Sequence, residues 1–174
     1  TVYIGTAQQI RAFVDATKDG EADSSWSFYD HLPQSEHPYE WTSGLNFGPD
    51  GWLYCAVTTD SWNAAPASDP MGLRGAIIRI SPDGKKAERV ATGIRSVPGM
   101  AFNDAGDLFF IDNAGGGNPT EELNRLITGG FYGHNKKKYP SDSSKVHPPD
   151  YDLQSEDSPS SLEFNRSKKD LGGS

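Results

Sequence analysis

Side chains with the chemistry of ligand binding collect in the longer stretches between the apolar runs of this sequence. They are His37, Glu40, Trp41, Asp60, Asn63, Asp69, Arg74, Arg95, Asp112, Asn113, Asn118, Glu121 and Glu122. Carboxylate and carbonyl oxygens suit Ca²⁺, and arginine suits a planar ligand that bears carboxylates. Tryptophan suits a sugar face or an aromatic ring. Together these stretches predict a small-molecule site, although each single residue also fits a solvated loop.

The segment 112–118 adds three consecutive glycines to this set, with acidic residues on either side. Glycines at 115–117 free the backbone to approach a ligand closely or to offer carbonyl oxygens to a cation. A flexible loop is the alternative interpretation of this segment.

A second acidic segment, residues 15–23, resembles half of an EF-hand loop, with oxygen-bearing side chains and a glycine at the expected spacing. Trp26 stands where the bidentate glutamate of such a loop is required. We therefore predict a tight acidic turn here in preference to a calcium site.

Charge and cysteine content exclude several classes of function. Sixteen basic residues against 24 acidic ones give a net charge of −8, which argues against nucleic acid and anionic membranes as partners. The single cysteine, Cys55, lies in an apolar run and is predicted to be a core residue. There is no apolar run long enough to span a bilayer.

The elements that must position the candidate residues are revealed by an internal repeat. Residues 44–54 recur as residues 99–109, with a partial copy at 161–165 and another at 2–5. Each copy is a strand of alternating polarity, a turn and a second strand. Within the same unit, residues 76–80 and 88–92 flank a second turn, Pro82-Asp83-Gly84.

Four strands per repeat predict an all-β chain, a β-propeller of four-stranded antiparallel blades. The chain would be a partial propeller, about two full blades plus parts of two more, in a single domain over residues 1–174. The predicted blade parts are 1–32, 44–93, 99–135 and 161–174, and 136–160 would be a long connection. A sandwich of similar hairpins is the alternative.

The long connections of such blades emerge on one face of the ring, which is where binding groups usually lie. The sequence begins inside a predicted strand and has neither an initiator Met nor a signal peptide, so we expect a fragment of a longer chain. Strand edges left bare by this would be covered by the remaining blades or by a second copy.

At residues 40–135 the sequence resembles the soluble, pyrroloquinoline-quinone (PQQ)-dependent glucose/sorbosone dehydrogenases, which are six-bladed propellers. The stretches that carry the resemblance are 43–54, 74–84, 91–102, 121–126 and 129–133. The resemblance implies a sugar or aldose substrate, PQQ and Ca²⁺ as cofactors, and a periplasmic or extracellular location.

The resemblance also implies roles for single residues. Arg95 would face the quinone carboxylates, near Asn113 and beside Ser96, which stands where the family has an asparagine. Asp60 would orient the catalytic base. Carbonyls of the loop from Asp112 through Gly116, Gly117 and Asn118 would hold Ca²⁺. Glu122, with Tyr132 beside it, would belong to a second, structural Ca²⁺ site.

One departure from the family concerns the base itself. Where the family has a histidine, this sequence has Glu40, and His37 lies three residues earlier. A carboxylate can act as a base when burial raises its pKa. Two hypotheses follow: a dehydrogenase that uses Glu40 or His37 with Asp60, or a non-catalytic binding or scaffold propeller that has lost the base.

Overall fold

The computed structural model describes residues 1–34, 40–59, 69, 71–115, 119–134, 145–154 and 158–165. These residues form strands and connecting turns, and no helix occurs among them. The strands are β1 (Val2–Gly5), β2 (Ile10–Val14), β3 (Ser24–Tyr29), β4 (Thr42–Phe47), β5 (Leu53–Val57), β6 (Ala76–Ile80), β7 (Ala87–Thr92), β8 (Gly99–Phe102), β9 (Leu108–Asp112), β10 (Glu122–Arg125) and β11 (Tyr151–Asp152).

The strands assemble into three antiparallel sheets that follow one another along the chain. Their orders are β1-β2-β3, β4-β5-β6-β7 and β8-β9-β10-β11. Within each sheet, every strand after the first pairs with its predecessor in sequence, as in a meander. The predictions of an all-β chain and of four-stranded antiparallel units are therefore confirmed.

Turn chemistry sets the register of the middle sheet. Gly51 and Gly84 take the left-handed φ values of +80° and +71° that glycine adopts without strain. The Ser81 amide donates to the Lys86 carbonyl at 2.9 Å and closes the second turn. Between these turns every residue of β5 is buried, as expected for a continuous apolar run.

Strand β11 comes from the stretch that the sequence predicts to be a connection, residues 136–160. Its two residues pair with Glu122 and Leu123 of β10 and complete the third sheet. Both residues of β11 are exposed, so the strand has no apolar alternation. Nothing in the local sequence marks it, because its pairing depends on a partner strand far away along the chain.

Two apolar clusters fill the spaces between the sheets. One joins the first and middle sheets through residues such as Ile10, Leu53 and Ile78, and includes the fully buried Cys55. The prediction that Cys55 is a core residue is therefore confirmed, and burial raises the pKa of its thiol to about 12. The other cluster joins the middle and third sheets around Ile77 and Phe110.

The first strands of the middle and third sheets contact each other, and a glycine makes this possible. Gly44 has a φ of +64°, and a Cβ there would lie 2.7 Å from Met100 Cγ. The Asn46 amide donates to the carbonyls of Gly44 at 3.2 Å and Met100 at 2.8 Å. Gly44 and Asn46 therefore allow β4 to pack closely against β8.

The acidic segment 15–23 is a turn in which carboxylates cap backbone amides. Asp15 accepts hydrogen bonds from the amides of Lys18, Asp19 and Gly20. Amide donation from Thr17 and Ala16 holds the pKa of Asp23 below its usual value. The predicted tight acidic turn is what the structure contains.

Candidate active site

A pocket of about 310 Å³ lies where the connections after β5, β7 and β9 meet. It is lined by Trp41, Thr59, Arg95, Ser96, Pro98, Asn113, Ser158, Pro159 and Ser160. All three residues predicted to contact the cofactor, Arg95, Ser96 and Asn113, thus share one pocket. Their sequence neighbours 97 and 112 are buried, which fixes them to the core.

Asp112, the last residue of β9, holds two of the lining residues of this pocket in place. Its carboxyl group is fully buried and accepts the Arg95 amide at 3.0 Å and the Ser96 amide at 2.8 Å. Burial raises the pKa of Asp112 to about 7, against the opposing effect of these amide donors. The nearby carboxyl group of Glu122 raises it further. Through the two amide hydrogen bonds, Asp112 links the β7–β8 connection to the end of β9.

The Arg95 side chain lies across the start of the glycine loop. Its Nη1 donates to the Ala114 carbonyl, and a Cβ on Gly115 would collide with its Cδ and Nε. The Arg95 Nε and the Asn113 Oδ1 are buried and have no hydrogen-bond partner among the described residues. Both atoms belong to residues that line the pocket, and a buried polar atom without a partner is unusual.

Glu40 is buried and forms an ion pair with Arg74, with Oε2 and Nη1 3.1 Å apart. Arg74 also donates to the carbonyls of Thr58 and Pro33. The Thr59 hydroxyl donates to Glu40 Oε1 at 3.4 Å. Glu40 is not among the lining residues of the pocket. Accepting a substrate proton would require Glu40 to give up this buried partner, which disfavours it as a general base.

Five further predicted site residues lie outside the described residues: His37, Asp60, Gly116, Gly117 and Asn118. Their roles as base, orienting carboxylate and calcium loop therefore stay predictions.

Glu122 and Tyr132 occupy different surroundings. Glu122 begins β10 and pairs in register with Asp112 on one side and Asp152 on the other. Its Oε2 accepts a hydrogen bond from the side-chain amide Nδ2 of Asn124 at 3.2 Å. Burial raises its pKa. Tyr132 lies in the apolar cluster beside Phe110.

The Tyr132 hydroxyl donates to the Arg125 carbonyl at 2.6 Å and accepts the Ile127 amide at 2.8 Å. Burial raises its pKa to about 12. Both hydrogen bonds are typical of a structural tyrosine.

The described residues bring together no group of three His, Cys, Asp or Glu side chains that could hold a metal. Asp112 is occupied by backbone amides, and the Ala114 carbonyl by Arg95. Asn113 Oδ1 is a buried oxygen of the same segment that has no hydrogen-bond partner within the described part of the chain.

The sequence does not predict several of the residues that line the pocket. Thr59, Pro98 and the wall formed by Ser158, Pro159 and Ser160 line the pocket, but their residue types are common in loops. Ser158 has a positive φ of 50° immediately before a proline. Its place depends on the packing of residues 161 and 162 against Gly99 of β8.

Comparisons with known proteins agree with this fold. A family model for a domain of unknown function, DUF7133, matches residues 1–169. No curated protein matches the chain.

Among solved structures, the PQQ-bound aldose sugar dehydrogenase from Streptomyces coelicolor is 25% identical, with a TM-score of 0.60. The match covers 84% of this chain and 46% of that one. A proposed oxidoreductase of the glucose dehydrogenase type from Thermus thermophilus is 23% identical over 83% of this chain and 46% of its own, with a TM-score of 0.55.

A glucose dehydrogenase is 19% identical over 71% of this chain and 39% of its own, also with a TM-score of 0.55. The last two likenesses concern the fold alone. The resemblance to PQQ-dependent sugar dehydrogenases is thus confirmed as a likeness of fold, and the chain spans about half the length of these structures.

Proposed function

Because the chain belongs to the DUF7133 family, a domain of unknown function, and shares its fold with sugar dehydrogenases, we propose that it is a PQQ-binding part of a sugar or aldose dehydrogenase. The observation that carries this proposal is the pocket in which Arg95, Ser96 and Asn113 meet. When bound, PQQ supplies the two-electron acceptor for oxidation of a sugar C–OH group.

The residues of the pocket suit such a ligand in charge and shape. Among the described residues that line the pocket, Arg95 is the charged one. Guanidinium groups bind carboxylates in a planar, bidentate manner. The unused Asn113 Oδ1 can accept a ligand hydroxyl or amide, or bind a cation. Trp41, which is 41% exposed at the pocket wall, offers a face for a planar ring or a sugar.

Removal of the proton from the substrate hydroxyl is the step for which this pocket offers the least support. Asp60 and His37 are the proposed pair for it, with Glu40 as the alternative base. Glu40 would need to exchange its Arg74 partner for the substrate, which its short ion pair opposes.

Calcium is proposed at the glycine loop, through Asn113, Asp112 and the backbone of residues 116–118. Glu122 and Tyr132 are proposed for a second site. Support for the first comes from the unpaired Asn113 oxygen, and for the second from the pairing of Glu122 with Asp152 in the strand register.

Calorimetric titration of PQQ into the purified chain, with Ca²⁺ and with a chelator, tests the cofactor proposal. We expect saturable binding that Ca²⁺ strengthens. The Arg95→Ala variant should lose about ten-fold or more in affinity, as expected when a charged hydrogen bond is removed. Arg89→Ala, at an exposed arginine on the outer strand β7, is the matched control. Absence of binding by folded wild-type protein would overturn the proposal.

A non-catalytic binding module is the second candidate, and the Glu40–Arg74 ion pair favours it specifically. In that case the chain binds PQQ or a sugar but does not oxidise it. Dye reduction by the PQQ-loaded protein with a panel of aldoses separates the two: turnover supports the dehydrogenase, and binding without turnover supports the module.

The wider architecture is part of the same proposal. We take the three sheets as successive propeller blades, about two full ones with parts of two more, in one domain over residues 1–174. Residues 161–165 lie beside β8 and would begin the fourth blade. The remaining blades or a second copy would cover the strand edges, and the location would be periplasmic or extracellular.

A further inference from the structure

Glu121 is a buried carboxyl group without an ionic partner among the described residues. Only 2% of its surface is exposed, whereas glutamate is rarely buried unless it is paired. Its Oε2 accepts the backbone N–H of Ala114 at 3.0 Å. A buried carboxyl group held by a backbone amide requires a structural or functional reason.

Ala114 provides that reason, because it connects Glu121 to the pocket. Its N–H is held by Glu121, and its carbonyl oxygen accepts the hydrogen bond from Arg95 Nη1. Gly115 follows, and its missing side chain leaves the space that the Arg95 Cδ and Nε fill. The position of the guanidinium therefore depends on where Glu121 holds this segment.

The main chain of Arg95 is fixed independently. The Arg95 N–H donates a hydrogen bond to the Asp112 carboxyl group. The Arg95 carbonyl oxygen accepts a hydrogen bond from the Thr59 N–H at 2.8 Å. The backbone is thus held on both sides without Glu121. What Glu121 adds is the orientation of the side chain, which is otherwise a flexible chain with several rotatable bonds.

We infer that Glu121 is a positioning residue that orients the Arg95 guanidinium toward the pocket ligand through Ala114. The inference rests on the proposed function in that Arg95 is taken to bind the ligand's carboxylates. A guanidinium held before binding loses less conformational entropy when the ligand arrives, which raises affinity without a new contact.

The test compares Glu121→Ala, Glu121→Gln and the exposed-turn control Glu21→Ala in PQQ titrations. Glu121→Ala should weaken binding about ten-fold, while Glu121→Gln, which keeps an acceptor oxygen, should stay within about three-fold. In the Arg95→Ala background, Glu121→Ala should have no further effect, since the two residues act as a unit. Effects that multiply in the double variant would overturn the inference.

A measurement without ligand keeps the inference separate from the proposed function. The Arg95 Nε–Hε signal in ¹⁵N NMR should report an ordered side chain in wild type and Glu121→Gln, and a mobile one in Glu121→Ala. An unchanged signal would refute the positioning role, whether or not PQQ binds.

If Glu121→Ala does not fold, Gly115→Ala provides the second variant, because it displaces the guanidinium from the other side. It should mobilise Arg95 and weaken PQQ binding to a similar extent. A Gly115→Ala protein with wild-type Arg95 dynamics and wild-type affinity would contradict the inference.

Discussion

Two buried acidic side chains, Glu40 and Asp112, show at the scale of single residues how one kind of group serves different ends. Glu40 is matched by a guanidinium 3.1 Å away, whereas the Asp112 carboxyl group accepts hydrogen bonds from two backbone amides. The first arrangement pairs two side chains of opposite type. The second leaves burial dominant, so the pKa of Asp112 is raised to about 7.

Replacing Glu40 tests whether the ion pair is structural. Glu40→Gln leaves a buried guanidinium without its counter-charge, so we expect the free energy of unfolding to fall by roughly 3 kcal/mol. Urea denaturation measures this, with the exposed Glu163→Gln as the control, for which a change below about 0.5 kcal/mol is expected. A Glu40→Gln protein as stable as wild type would restore Glu40 as a free candidate base.

The raised pKa of Asp112 predicts a pH dependence of stability. The folded protein keeps the proton between the ordinary value of 3.8 and about 7, while the unfolded chain has lost it. The stability contribution of Asp112 therefore falls as pH rises through this window and is constant above it.

Asp112→Asn removes this titration. In chelator-containing buffer the variant should gain stability relative to wild type from about pH 4 to 7, by roughly 2–4 kcal/mol at most. Denaturation curves at intervals of pH measure the difference between the two proteins. A constant difference across the window would show that Asp112 is ionised throughout it.

The long connections of the repeat predicted that Arg95 and Asn113 lie on one face, and the resemblance to the dehydrogenases added Ser96. The structure places all three residues at one pocket. The sequence was not sufficient to predict the partner of Glu40. Arg74 lies far along the chain from Glu40, and only the packing of two connections brings them into contact. The same holds for Glu121, whose role depends on the path of the loop.

At the scale of elements, strands with local turns were predictable and the strand without one was not. The hairpins β4–β5 and β6–β7 carry proline, aspartate and glycine in their turns, and these residues determine the backbone angles directly. Strand β11 has no such turn and only two residues. Its position follows from hydrogen bonding to β10, which the local sequence cannot encode.

The contact between β4 and β8 leads to a prediction with a closely matched control. Gly44 and Gly72 share a φ of +64°, but a Cβ at Gly72 meets nothing within 4 Å, whereas one at Gly44 meets Met100. Gly72→Ala should cost about 1–2 kcal/mol for the backbone angle alone.

Gly44→Ala should cost a further ~1–3 kcal/mol, because Met100 must move. Thermal or urea unfolding of both variants gives the difference. Equal losses would mean that the two sheets do not pack through this glycine.

At the scale of the whole molecule, the outer edge of the first sheet is the feature from which we expect association. Strand β1 ends that sheet in the described part of the chain, and its Val2 and Ile4 are 62% and 47% exposed. An apolar strand edge offers unpaired backbone groups and apolar side chains to any other strand. Association of the isolated chain is the expected result.

Sedimentation velocity should therefore show a species distribution that shifts to larger particles with protein concentration. The double variant Val2→Lys, Ile4→Lys should move it toward monomer, since charged residues block edge pairing. Trp26→Lys, on the opposite edge strand β3, should not. A sharp monomer for the unmodified chain at all concentrations would mean that the edge is covered within the chain itself. If Trp26→Lys alone abolished association, the β3 edge would be the interface, and the proposal that a second copy covers the β1 edge would lose its support.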